Sequence, residues 1–414
     1  MRALFLLPLL VHAFGATAQL DDATRRDSVL RMTASRPVAH QLKRTWDFGG
    51  VHFSNRFAGA RLNEVERVND TAFVCTIAPE NRPVNGSPWY AFAVRADEPR
   101  WISVTLRYTD FFHRYHPKIS LFEGEWHDLP DSLLHGPDTL PHAHPGQTGD
   151  TILLHEWVRM DLWVDTLSLT VAAQQVIDVA RDQRWWMRLE AGGLTGREAA
   201  PVEGTPYELW AWHAGEGPNG LLLLGRQHPP EVTGALALRQ FMLRLLEDDE
   251  LATRFRTQWR VTVIPLMNPT GVDGGHWRHN GGGVDINRDW WLMQQPETRA
   301  ASTILERNLG GRNYLIDFHS TWKDILYPQD STANDTITPG WLDRFDALLG
   351  TPTPRRQVPF FAPITSLHWA QAHGIPAVVY EVGDDTPEEE LDRKARLAAE
   401  AVMHALLGDR VGLR

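Results

Sequence analysis

The period of the hydrophobic pattern changes once along this 414-residue chain, near residue 173. Before that point apolar residues alternate with polar ones. Ile102, Val104 and Leu106 are interleaved with Ser103, Thr105 and Arg107, and Leu167, Leu169 and Val171 with Ser168 and Thr170. A period of two marks strands that bury one face. Turn-rich stretches at 85–88 and 141–149 separate such runs, so residues 41–172 predict an all-β sandwich domain. After residue 173, short apolar runs at 221–224, 261–266, 314–318 and 377–380 alternate with helical stretches at 231–246 and 387–406. That alternation predicts an α/β domain over 173–414, with a mixed, mostly parallel central sheet flanked by helices. The last helix carries its own start signal: Thr386 as N-cap, Pro387 at the first helical position and Glu389 closing a capping box.

The N-terminus reads differently. Arg2, the apolar run 4–11 and Ala16-Thr17-Ala18 form the charged, hydrophobic and cleavage regions of a signal peptide over residues 1–18. The expectation is export to the periplasm or beyond, with no membrane insertion after cleavage, because no later run reaches the length of a membrane helix. Residues 19–40 are polar and without period, and are read as a lead-in segment. The net charge is −11, and losing Arg2 makes it more negative. An acidic chain without a basic run argues against nucleic acid as a partner. Cys75 is the only cysteine, which excludes an intrachain disulfide and a thiolate zinc cluster. It alternates with Phe73 and Ile77 and reads as a buried apolar residue. The 17 tryptophans imply sheet packing or aromatic clefts without choosing between them.

The chemistry concentrates at the ends of the predicted α/β strands. Gly-Arg-Gln-His-Pro-Pro-Glu follows the first run, and places His228 and Glu231 on a loop leaving a strand. An H-x-x-E pair is weak alone. Asp-Phe-His-Ser, residues 317–320, directly follows Tyr314–Ile316 and brings His319 to a second strand end. Two imidazoles and a carboxylate are the three-ligand count of a catalytic zinc with an open position. The fourth run leads into Glu381. A carboxylate there is costly unless it has a task, and the task that fits is general base. Arg278 could stabilise an oxyanion, and Asn287 with Arg288 could hold a free carboxylate through charged and neutral donors. Glycines 281–283 lack a following Gly-Lys-Ser/Thr and read as a loop allowing close backbone approach. Ser320 is read as part of the binding site. His142-Ala143-His144 reads as a solvated Pro/Gly-rich loop with no third ligand nearby. No Gly-x-Ser-x-Gly elbow is present.

Taken in order, H-P-P-E, N-P-T-G-V, R-H-N-G-G-G-V-D-I-N-R-D-W, I-D-F-H-S and the late Glu381 resemble the zinc carboxypeptidases of the funnelin type. The Gly-Arg-x-His-Pro-x-Glu opening behind an all-β segment looks like the cytosolic-carboxypeptidase branch. Residues 53–60 and 87–92 resemble parts of that branch's β-domain. The resemblance implies one zinc per chain held by His228, Glu231 and His319, with Glu381 as general base. It implies Arg278 as the oxyanion arginine, Asn287 and Arg288 as the terminal-carboxylate clamp, and Asp285 as the carboxylate orienting His228. The implied reaction is hydrolysis of the C-terminal peptide bond of a peptide with a free carboxylate, by zinc-activated water. One position departs: Phe360 and Phe361 stand where many relatives carry a tyrosine that covers the substrate. Two other functions share much of this pattern. They are a zinc-dependent N-acyl amino acid deacylase and a non-catalytic binding protein with a decayed site.

Overall fold

A computed structural model describes residues 22–121, 124–137, 141–145, 151–190, 192–329, 335–357 and 362–409. The expected signal peptide, 1–18, and the Phe360–Phe361 pair lie outside the described residues.

The first half is built mainly from two sheets, with a separate two-stranded pair beside them. One runs Thr45–Asp47, Val51–Ser54, Ala91–Ala96, Leu169–Ala172, Lys118–Leu121, His127–Asp128. The other runs Glu64–Arg67, Ala72–Ile77, Arg100–Tyr108, Trp157–Val164, Leu134–His135. The alternation read from the sequence explains the packing. Ile102, Val104 and Leu106 of the second sheet and Phe53, Phe92 and Val94 of the first belong to one buried cluster, with Cys75 inside it. Leu167 does not join its expected strand, which starts at Leu169, and it stays 40% exposed. His142–Pro145 is not a loop, because it pairs antiparallel with Thr151–Leu154. His142 lies 3.0 Å from Glu156 and stacks on Phe112, so it is engaged by protein groups. Residues 19–40 also differ from the expected lead-in. Asp22–Thr33 is a helix, and Gln295 donates its side-chain amide to the carbonyl of Thr33.

The second half is a seven-stranded sheet in the order Gly196–Pro201, Glu208–Ala214, Trp259–Ile264, Asn219–Gly225, Asn313–Thr321, Ala377–Gly383, Ile325–Pro328. It is mixed. The four strands from Trp259–Ile264 to Ala377–Gly383 run parallel, and the flanking pairs are antiparallel, so parallel pairing dominates only in the centre. Both faces of the parallel strands are covered, as such strands require. Leu221, Leu223, Ile316, Phe318, Tyr380 and Val382 pack against helices Val232–Leu245, Ile337–Leu349 and Glu388–Leu407. Leu222, Leu224, Leu315, Ala377 and Val379 face Pro296–Arg307 and Ser366–Ala372. The four leucines 221–224 are completely buried, each stabilising the fold by about 1.5–3 kcal/mol relative to exposure. Seven tryptophans, at 186, 212, 259, 277, 290, 341 and 369, are fully buried, so much of the tryptophan excess is core packing.

The last helix starts one residue later than its motif implies. Pro387 is the N-cap, and no side chain caps the first turn. The Thr386 amide donates instead to the carbonyl of Gly383, which closes a tight turn out of the strand. Glu388, Glu389 and Glu390 then occupy the first turn, where negative charge meets the positive end of the helix dipole.

Candidate metal centre

Strand Asn219–Gly225 ends at a forced bend. Arg226 follows with φ 51°, a left-handed conformation that costs of order 1–3 kcal/mol outside glycine. Its buried guanidinium donates to the Pro229 carbonyl at 3.1 Å from Nε and 2.7 Å from Nη2, which folds the loop onto itself. His228 and Glu231 are thereby set side by side. Glu231 stands at the N-cap position of helix Val232–Leu245 but makes no cap hydrogen bond. Its carboxylate is engaged elsewhere.

That engagement is with both histidines. Glu231 Oε1 lies 2.8 Å from His228 Nδ1, and Oε2 lies 2.7 Å from His319 Nδ1. The three side chains are all buried, and one ligand atom from each falls within 4.8 Å of the others. Burial acts to raise the Glu231 pKa, but the two imidazoles hold it far below the usual carboxylate range. Burial likewise acts to lower His319, while Asp317 and Glu231 raise it well above an ordinary histidine.

The outer nitrogens are held as well. His228 Nε2 is 3.0 Å from Asp285 Oδ1, and His319 Nε2 is 3.0 Å from Asp317 Oδ2. A carboxylate accepting from Nε2 fixes the tautomer with the lone pair on Nδ1, the arrangement a metal-ligating histidine needs. Two Nδ1 atoms and one carboxylate therefore converge on a buried point, with both rings oriented from behind. This donor set fits a divalent zinc with an open coordination position.

The remaining predicted residues surround this point. Asp285 begins the short turn Ile286–Arg288 and accepts from the Asn287 amide at 3.0 Å. Its Oδ2 accepts from Arg278 Nε at 2.7 Å, so Arg278 is tied to the carboxylate behind His228. Asn287 Nδ2 lies 3.4 Å from His319 Nε2, and its Oδ1 accepts from the Ser366 amide. Arg288 donates Nη1 to the Asn287 carbonyl at 2.7 Å. Among the described residues no carboxylate comes within ion-pair distance of Arg288, and burial lowers its pKa. Gly283, at φ 71°, confirms the need for close approach in its loop. A Cβ there would lie 2.4 Å from Asn81 Nδ2 and 2.6 Å from the Arg36 carbonyl oxygen.

Strand alternation sorts the rest. In Asn313–Thr321, Leu315, Asp317 and His319 point to one face, and Ile316, Phe318 and Ser320 to the other. Ser320 is therefore not in the site. Its Oγ accepts from the Gly234 amide and from Thr233 Oγ1, tying the strand to helix Val232–Leu245. Glu381 is directly opposite His319 in the parallel pair, and both strands run three residues further than the apolar runs implied. Its Oε2 is buried without a hydrogen-bond partner among the described residues. Burial first, and then the Glu231 charge, raise Glu381 above the ordinary carboxylate range.

Two features escaped sequence reasoning. Asp317 sits two residues before His319, and the period of two was the available signal that both share a face. Arg114, from the β half, ion-pairs with Asp384 at 2.7 Å just beyond the Glu381 strand. No local pattern links positions 270 residues apart.

A family model described as zinc carboxypeptidase matches residues 194–374. An uncharacterized protein of Zymomonas mobilis is 33% identical over 109 residues, which are 25% of this chain and 28% of that protein. Cytosolic carboxypeptidase 2 of Xenopus tropicalis is 28% identical over 106 residues, 24% of this chain and 11% of that protein. The matched segment is thus under a third of either relative's length. A crystal structure of a metallo-carboxypeptidase from Burkholderia cenocepacia superposes with a TM-score of 0.68 at 15% identity, covering 87% of this chain and 98% of that one. At that identity the likeness is one of fold.

Proposed function

Because residues 194–374 carry a domain of the zinc carboxypeptidase family, we propose that the protein is a zinc-dependent metallocarboxypeptidase releasing the C-terminal residue of peptides. The observation that carries the reading is Arg288: a guanidinium without a carboxylate partner among the described residues, three residues after the Asp285 that braces His228. An arginine fork is suited to a free carboxylate.

His228, Glu231 and His319 would hold one zinc per chain, which supplies a Lewis acid that acidifies water and polarises the scissile carbonyl. Arg288 and Asn287 bind the terminal carboxylate of the substrate and so fix which peptide bond lies over the centre. Arg278, held by Asp285, receives the negative charge that develops on the carbonyl oxygen. Glu381 takes a proton from the attacking water and passes it to the leaving amine. Its buried, unpartnered Oε2 and raised pKa suit a group that must both accept and donate. The reading includes a β-sandwich domain ending near residue 173 and export through residues 1–18. Among the described residues no helix is long and apolar enough to cross a membrane.

The test is a mixed peptide library incubated with zinc-loaded protein and resolved by mass spectrometry, with and without a chelator. Loss of single C-terminal residues, abolished by chelation and absent for C-terminally amidated peptides, is expected. Full activity of metal-free protein would sink the proposal. N-acyl amino acids in the same assay distinguish a deacylase, and inertness of the zinc-loaded protein to every substrate indicates a binding protein.

A further inference from the structure

Glu80 lies just beyond strand Ala72–Ile77 of the β half, and it is completely buried. A buried carboxylate is destabilising by several kcal/mol unless its charge is met. Here it is met by three consecutive backbone amides from the other half of the chain. Oε2 accepts from Trp277 at 2.7 Å, and Oε1 accepts from Arg278 at 3.1 Å and His279 at 2.8 Å. Successive amides turned toward one anion form a fixed cradle. The neighbouring contacts come from the same side. Arg61 Nε donates to the Gly275 carbonyl at 2.6 Å, Trp277 Nε1 to the Trp89 carbonyl at 3.1 Å, and Asn81 Oδ1 meets His279 Nδ1 at 2.6 Å.

The middle residue of the cradle is Arg278. Its side chain donates to Asp285, and Asp285 in turn meets His228. The contacts therefore run without a gap from Glu80, through the Arg278 backbone and side chain, to the carboxylate behind the metal centre. We infer that Glu80 is a positioning residue, and that the β half sets the location of the Arg278 guanidinium over the reacting carbonyl. The inference rests on the proposed role of Arg278. It assigns to the β sheets a part in the active site.

The reason is mechanical. Residues 274–284 have no regular secondary structure beyond the end of one short helix; the His276 ring meets the His279 carbonyl at 2.9 Å and Asn280 closes on Val284, but no group of the loop accepts from the Arg278 amide. Among the described residues its backbone amide donates to Glu80 alone. Rotation of that peptide would swing the guanidinium at the end of a long side chain. A misplacement of about 1 Å can cost roughly 100-fold in rate.

Glu80→Gln tests this. The amide replaces one acceptor oxygen with a donor and leaves the shape unchanged. Turnover should fall by about 10- to 100-fold with little change in KM, since a transition-state contact is displaced and ground-state binding is spared. Zinc content should stay at one per chain. In an Arg278→Ala background, Glu80→Gln should add less than about threefold, because residues acting through one contact are not additive. A further loss of full size in that background overturns the inference.

Amide exchange gives a readout independent of activity. Exchange at residues 277–279 should accelerate by about tenfold or more, with residues 221–224 unchanged. Unchanged exchange at 277–279 overturns the inference even if activity falls. If the wild type cleaves no peptide, the carboxypeptidase reading fails, while the exchange result still decides whether Glu80 holds the loop. Should Glu80→Gln not fold, Glu80→Asp keeps the charge one methylene back and is read in the same way. Failure of both to fold assigns Glu80 to general stability and overturns a positioning role.

Discussion

Asp317→Asn is the substitution whose consequence can be followed furthest. Asp317 is fully buried, and three donors converge on its Oδ2: His319 Nε2, Gln227 Nε2 and Ser366 Oγ. The other oxygen is buried without a partner among the described residues. Asparagine can keep its carbonyl toward the three donors, with its NH2 in that unpartnered space. The geometry survives and the charge does not. A hydrogen bond to a charged group contributes about 1.5–3 kcal/mol and one to a neutral group about 0.5–1.5, so each donor loses roughly 1 kcal/mol. The metal feels only the part transmitted through His319, whose imidazole becomes less basic and less firmly oriented. For carboxylates behind a metal histidine that share is about 10- to 100-fold in affinity, or roughly 1.4–2.8 kcal/mol. Zinc dissociation constants measured by competition with a chromophoric chelator would report it, alongside the melting temperature of the metal-free protein. Zinc affinity within about twofold of wild type, in a variant that melts normally, would refute the reasoning.

Glu381→Gln should retain one zinc per chain and lose about 10²- to 10⁴-fold in turnover, and retained turnover removes Glu381 from the base role. Arg288→Ala should act mainly on KM, by roughly 100-fold, because it removes binding common to ground and transition states; Arg288→Lys should restore only part of it. A fall confined to kcat would place Arg288 elsewhere. Stability should decline on acidification, because burial brings His113 down to about 3 and His279 down to about 4, and also lowers His276. Between pH 6.5 and 4 the unfolded chain binds these protons and the folded chain does not, so stability is present above that window and is lost as pH falls through it. The slope is up to about 1.4 kcal/mol per pH unit for each histidine. Glu381 and Asp384, both raised to about 7, oppose these contributions within the same window, whereas His319, also raised, changes only above pH 6.5, so His113→Gln against wild type is the cleaner comparison. Urea midpoints should fall less steeply with pH in the variant, and parallel slopes would count against the assignment.

The parts of this protein that were legible in its sequence are those where function rides on strand period. His319 and Glu381 could be placed because each follows a run of apolar residues whose end is visible. The strands in fact continue three residues beyond those runs, since hydrogen-bond pairing outlasts the apolar composition. Asp317 is legible by alternation, which puts it beside His319 and turns Ser320 away, a signal that the run taken as one apolar block hides. The capping box at Thr386 does not form because Pro387, with φ −56° and ψ 143°, is still outside the helical region and stands as the N-cap itself, so the helix begins one residue later. The helix Asp22–Thr33 had no amphipathic pattern to announce it, and its order comes from tertiary contacts to Gln294 and Gln295. Arg226 could not be recognised either. Its left-handed backbone is imposed by the return of its own side chain onto Pro229, and neither propensity nor spacing records that.

What no local pattern could disclose is how the two halves meet, and here the buried charges decide. Arg61, Glu80 and Arg114 all come from the β half and are all buried. Each is satisfied from the catalytic half: Arg61 at the Gly275 carbonyl, Glu80 at amides 277–279, and Arg114 at Asp384. Arg114 also stacks on Trp322, 4.5 Å from the ring centre. Burial acts to lower Arg114, but the Asp384 carboxylate raises it above its usual range, so the charge is kept and needs its partner. Removing one member of a buried pair is destabilising by about 3–5 kcal/mol. Arg114–Asp384 is such a pair, and Arg61 and Glu80 add two buried charges held by backbone groups across the same interface, so opening it costs a sizeable part of the stability of an ordinary domain, about 5–15 kcal/mol. The halves should therefore unfold together. Amide exchange against urea, followed separately in strands Arg100–Tyr108 and Asn219–Gly225, should give one midpoint. Two separated midpoints would mean that these charges find water when the interface opens, and that the β half stands on its own core.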